Sequence, residues 1–190
     1  MEFERLVDCF RLNDRARQIR TLRDGLPEAA PPDWRALAAL LAVRFAEAVP
    51  AGEPVVLGIS GGQGAGKTTL AALLVQALSL RGRRGVTLSI DDFYLPRRDR
   101  HALAKTVHPL LATRGVPGTH DVALAVEVID AVRAGRPARC PVFDKAADDR
   151  LPAAQAQVIE PGVDLVIFEG WCVGAQAQPD AALAVAVNDL

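Results

Sequence analysis

The sequence is short of cysteine, of aromatic residues and of net charge, and each shortage closes off a class of function. Cys9, Cys140 and Cys172 are an odd number with no Cys-x-x-Cys pair. That excludes a disulfide framework and a zinc site, and leaves the cysteines as small apolar side chains. His101, His108 and His120 do not stand at metal-ligand spacing. A formal net charge of -1 gives no general pull on nucleic acid or on an anionic membrane. Only 5% of the residues are aromatic, and they are not interleaved with basic residues as single-strand binding requires. No apolar run approaches the ~20 residues that span a bilayer. Met1-Glu2-Phe3-Glu4-Arg5 is acidic and amphipathic and does not read as a signal peptide, so the expected compartment is the cytoplasm.

What remains is the composition of a globular domain, with 50% hydrophobic residues in 190. Phe3, Leu6, Val7 and Phe10 fall on one helical face. Asp24-Gly25-Leu26-Pro27 and Pro31-Pro32 then break the chain. Asp33 is expected to cap a second helix whose apolar face carries Trp34, Leu37, Leu41 and Phe45. Residues 1–52 thus read as a helical N-terminal extension, and residues 53–190 as the main domain. There the pattern changes. Val55–Ile59 suits a buried parallel strand, Lys67–Leu80 a helix, and Val86–Ile90 a second strand. Arg97-Arg98-Asp99-Arg100 reads as a polar region. Asp121–Ala134 reads as a helix aligned on Val122, Ala125, Val126, Ile129 and Val132, and Val163–Phe168 as a third strand. Alternating strand and helix is the grammar of an α/β fold with a parallel sheet, whose ligands sit beyond the carboxyl ends of the strands.

The motifs fall at those ends. Gly61-Gly62-Gln63-Gly64-Ala65-Gly66-Lys67-Thr68 matches G-x-x-x-x-G-K-[ST], after a strand and at the start of a helix. Such a loop turns its backbone N–H groups inward around phosphate oxygens, and the helix adds its positive end. Lys67 reaches the outer phosphates of ATP and the Thr68 hydroxyl is a Mg²⁺ ligand. The pattern predicts a three-layer fold of the P-loop NTPase type. Asp91 and Asp92, past the second strand, either take a proton from a substrate hydroxyl or hold Mg²⁺ through water; as a pair they also suit a helix start. Glu169, at the end of the third strand, stands where a carboxylate orients the Mg²⁺ shell. On spacing alone Thr113–Asp121 reads as a turn leading into a helix, and Asp144-Lys145 with Asp148-Asp149-Arg150 as a solvated loop. No guanine-specifying Asn-Lys-x-Asp run is present, which argues against a regulatory GTPase.

Several runs taken in order carry a family resemblance. They are Gly58–Leu70, Ser89–Tyr94, His108–Leu111, Arg114–Asp121, Pro141–Lys145 and Phe168–Cys172. Across roughly residues 55–175 the chain resembles the D-glycerate 3-kinase family, related to phosphoribulokinase, uridine kinase and pantothenate kinase. Arg114-Gly115-Val116-Pro117-Gly118-Thr119-His120-Asp121 and Phe168-Glu169-Gly170-Trp171-Cys172 are its specific parts. The resemblance implies transfer of the γ-phosphoryl group of ATP, with Mg²⁺, to the 3-hydroxyl of D-glycerate. It implies Asp91 as the base, with Asp92 second and Lys67 assisting. It extends the nucleotide contacts to Thr69, and turns Tyr94, Arg114, His120 and Lys145 toward the acceptor. It also implies a longer chain, so the 190 residues are expected to be C-terminally incomplete. Two other readings stand beside this one: a kinase of the same fold for another alcohol, such as a nucleoside or pantothenate, and a non-catalytic ATP-binding module.

Overall fold

The structure, a computed structural model, describes residues 2–179 and 181, with side chains from residue 13 onward. The apolar face expected on Phe3, Leu6, Val7 and Phe10, and Cys9, lie outside the described side chains. Helices α1 (Glu2–Asp24) and α2 (Pro32–Ala48) precede strand β1 (Val55–Ser60) and helix α3 (Lys67–Ser79). Strand β2 (Gly85–Ser89) runs into a 3₁₀ turn, Ile90–Phe93, followed by α4 (Arg97–Thr106) and α5 (Val122–Arg133). Short strands β3 (Ala138–Cys140), β4 (Phe143–Asp144), β5 (Asp149–Arg150) and β6 (Gln157–Ile159) lead to β7 (Leu165–Gly170).

The three strands read from the sequence form one parallel sheet in the order β1-β7-β2. Its register decides where function can sit. Glu169 pairs with Ile59 on one side and Ser89 on the other, so all three strands end at one level. The loop after β1 and the turn after β2 therefore leave the sheet at the same edge as Glu169.

Because β7 is central, both of its faces are buried. Leu165 and Ile167 point into a core shared with α1, α2 and α3. Val166, alternating with them, points into a second core with Leu88, Phe93, α5, β3 and β6. The result is three layers, as expected. Among the described residues no helix is long and apolar enough to cross a membrane.

Three local expectations need correction. Helix α2 starts at Pro32, so Asp33 lies inside its first turn and makes no capping bond. Proline at the first helical position needs no N–H partner, which removes the need for a side-chain cap. The packed seam of α2 is Ala38, Ala39, Ala42, Val43 and Ala46, while Trp34, Leu37 and Leu41 remain exposed. Small side chains let α2 lie close against α3, and the bulky ones open onto an apolar groove beside the loop after β1. On α5 the same holds: Ala125, Val128, Ala131 and Val132 are buried, and Val122 and Val126 are not.

Candidate active site

Gly61–Thr68 joins β1 to α3 as a phosphate loop must. Gly64 and Gly66 have φ of +75° and +83°, a left-handed backbone in which a side chain is strained. That curvature brings the chain onto the first turn of α3, whose N–H groups have no helical partner. Lys67 folds back and donates to the Gly62 carbonyl at 2.9 Å. Thr68 Oγ1 donates to Glu169 Oε1 at 3.1 Å, joining the start of α3 to the end of β7. Glu169 itself is buried.

Across the sheet edge, Ser89 Oγ accepts from the Asp91 amide and starts the 3₁₀ turn. The turn can lie on β7 only because residue 170 is glycine. A Cβ there would stand 2.1 Å from Ile90 Cγ2. The turn separates the two adjacent acids. Asp91 faces a cavity of about 740 Å³ shared with Lys67, Thr68 and Glu169. Asp92 does not line it; its Oδ1 accepts from the Phe143 amide at 3.2 Å.

Asp91 is held from two sides. Its Oδ1 accepts from the Tyr94 hydroxyl at 3.1 Å, and its Oδ2 is 2.7 Å from Lys145 Nζ. Burial pushes its carboxyl up, but the hydrogen bond and charge of Lys145 and the Tyr94 bond outweigh it, so it titrates below the ordinary range. Burial, joined by the charge and hydrogen bond of Asp91, pushes the Tyr94 hydroxyl up to about 12. Burial also raises Asp92, helped by the charge of Asp91. The two acids thus differ in environment and in titration.

Of the residues matched to the acceptor side, Tyr94, Arg114 and Lys145 line the cavity. His120 does not: its ring stacks on Tyr94 at 4.4 Å, behind it, and burial lowers its pKa. Ser89 and Trp171 also line the cavity, and neither is among the candidate site residues read from the sequence. The Phe168–Cys172 run was a signal for Trp171.

The loop expected to be solvated is instead a clamp. Arg150 donates to the Tyr94 carbonyl and pairs with Asp121 at 3.2 Å. Asp149 accepts from the Arg97 amide. Asp148 pairs with Arg114 and with Arg100, which is fully buried although its segment reads as polar. Asp148, Asp149 and Arg150 each have a partner from outside the loop, which composition does not show. Asp144 accepts from the Ala146 and Ala147 amides of the loop itself.

Among the described residues no cluster of three or more His, Cys, Asp or Glu could hold a metal ion. Mg²⁺ does not need one, because it takes one or two protein oxygens and completes its shell with phosphates and water. The Thr68 hydroxyl and Glu169 carboxylate, in contact at the cavity wall, are donors of that kind.

No protein-family model matches the chain. Individual relatives do. An uncharacterized kinase, mug58, from Schizosaccharomyces pombe is 39% identical over 145 residues, covering 72% of this chain and 52% of the relative. The chloroplastic D-glycerate 3-kinase of Arabidopsis thaliana is 33% identical over 136 residues, 66% of this chain and 30% of the relative. The solved structure of D-glycerate 3-kinase from Cryptococcus neoformans superposes with a TM-score of 0.61 at 26% identity, over 90% of this chain and 54% of that one. The chain is thus similar to P-loop kinases of the glycerate kinase type. It spans about half the length of the S. pombe relative and less of the plant one.

Proposed function

We propose that the chain is an ATP- and Mg²⁺-dependent kinase that phosphorylates the 3-hydroxyl of D-glycerate to give 3-phosphoglycerate. One observation carries the reading. Asp91 faces the phosphate loop within a single cavity that Arg114 and Lys145 also line. The candidate base and the anion-binding groups are then within reach of one small, carboxylate-bearing alcohol.

Gly61–Thr68 and Thr69 hold the phosphates through backbone N–H groups, and Lys67 exchanges the Gly62 carbonyl for an outer phosphate oxygen. Mg²⁺ at Thr68 and Glu169 would neutralise charge on the transferring group. Arg114 takes the acceptor carboxylate through paired N–H donors, a geometry that lysine lacks. Lys145 keeps Asp91 ionised, and Tyr94 orients it. A carboxylate of low pKa is a weak base. It suffices here because the phosphoryl transition state is loose, so the hydroxyl needs aiming more than early deprotonation.

A second reading, a nucleoside acceptor, has one observation in its favour. Trp171 lines the cavity and is 41% exposed, a surface on which a base can stack. The two readings separate by product. Incubation with Mg-ATP and D-glycerate, followed by ³¹P NMR, is expected to give a phosphate coupled to the two C3 protons. A phosphate on the 2-hydroxyl, or none with glycerate and one with uridine, sinks the glycerate reading.

A further inference from the structure

Asp148 is among the described residues the one non-glycine with positive φ, at +53°. Side chains resist that conformation, although aspartate and asparagine tolerate it better than most. Something must hold it there. Arg100 Nη2 donates to the Asp148 carbonyl at 2.6 Å and stands 2.9 Å from its Oδ2. The same guanidinium donates to the Ala112 carbonyl at 2.9 Å and the Leu95 carbonyl at 3.2 Å. Arg100 is fully buried, so its charge requires this degree of pairing. The other carboxylate oxygen, Oδ1, receives Arg114 Nη1 at 2.5 Å. One aspartate therefore bridges a buried arginine of α4 and an arginine on the cavity wall. Both guanidinium carbons lie 5.8 Å from the centre of the Phe143 ring, which stacks the assembly from the side.

We propose that Asp148 is the positioning residue of the anion-binding site: it fixes the Arg114 guanidinium in the cavity, and Arg100 fixes Asp148. The inference rests on the reading of Arg114 as the contact for the acceptor carboxylate. Bound through Nη1, Arg114 keeps its remaining N–H donors for the acceptor. A free arginine side chain would have to be ordered at each binding event, at a cost in rotamer entropy. Burial pushes the Asp148 carboxyl up, yet the bonds and charges of Arg114 and Arg100 outweigh this and hold it below the ordinary range, so the bridge is charged at neutral pH.

The test is a double-mutant cycle with a structural readout. Asp148→Asn keeps the size and the left-handed tolerance of the residue and removes its charge. It is expected to raise the KM for D-glycerate about tenfold while leaving the KM for ATP unchanged. On an Arg114→Ala background it should add nothing further, because it acts through Arg114. Asp148→Gly, which suits the backbone, should behave like Asp148→Asn, separating loss of the bridge from loss of folding. Independently of turnover, the ¹⁵N guanidinium resonances of Arg114 should show slow Nε–Cζ rotation in the natural chain and averaged signals in Asp148→Asn. Unchanged Arg114 resonances, or equal losses from Asp148→Asn with and without Arg114, overturn the proposal. An Arg114→Ala chain with unaltered glycerate KM sinks the acceptor reading instead, and the resonances still decide the bridge.

Discussion

Lys145 Nζ lies 2.7 Å from Asp91 Oδ2, and this pair brings the β4 end and the turn after β2 to the same side of the cavity. It also sets how the site titrates. The Asp91 carboxyl is held below its usual value, so its charged form persists as pH falls, and the stability it contributes is lost only as pH drops through that lowered value. Replacing Lys145 with Met removes the main force that lowers it. The acid limb of kcat/KM is therefore expected to move to higher pH. A limb that stays in place or moves down would mean that Asp91 is not the group being titrated.

Asp91 and Asp92 should behave differently on conversion to asparagine. Asp91→Asn is expected to cut transfer by roughly 10²–10⁴ with ATP binding intact, as loss of a positioned base does. Asp92 accepts from the Phe143 amide away from the cavity, so Asp92→Asn should lower stability before it lowers kcat. Single-turnover rates and thermal melts on both variants decide this. The reverse pattern would exchange the two roles.

Lys67 donates to the Gly62 carbonyl, the contact that the proposed function has a phosphate replace. Lys67→Ala removes a charge-assisted contact of about 1.5–3 kcal/mol. ATP affinity by calorimetry should fall about tenfold or more. Undiminished affinity would contradict the phosphate cradle.

Gly170 is required by contact, not by backbone angle. Its added Cβ would meet Ile90 at 2.1 Å and 2.8 Å, so Gly170→Ala must push the turn bearing Asp91 off the end of β7. Overpacking of this kind costs about 1–3 kcal/mol. A lower melting temperature together with reduced transfer is expected, and a variant with natural stability and rate would show that the turn is free to move.

Much of this was legible in the residues themselves. The strands of the parallel sheet announced themselves as apolar runs, and the phosphate loop as spaced glycines before Lys67-Thr68. Their convergence followed from the βαβ pattern, and the register of Glu169 with Ser89 realises it. Helix faces were less legible. Hydrophobicity marks Trp34, Leu37 and Leu41, whereas close helix packing selects Ala38, Ala39, Ala42 and Ala46. Charged segments were least legible of all. Arg100 and Asp148 look solvated one at a time, and only the fold brings together two residues 48 positions apart. Likewise nothing in Asp91-Asp92 says which carboxylate faces the cavity, because the 3₁₀ turn decides it.

The most direct measurement is coupled ADP release at fixed Mg-ATP across D-glycerate, L-glycerate, glycerol, uridine, pantothenate and ribulose 5-phosphate. Arg114 and Lys145 line the cavity beside Asp91. If they form the proposed cationic acceptor site, D-glycerate is expected to give the highest kcat/KM, and glycerol, which lacks the carboxylate, a far lower one. Glycerol or uridine outcompeting D-glycerate would contradict the account.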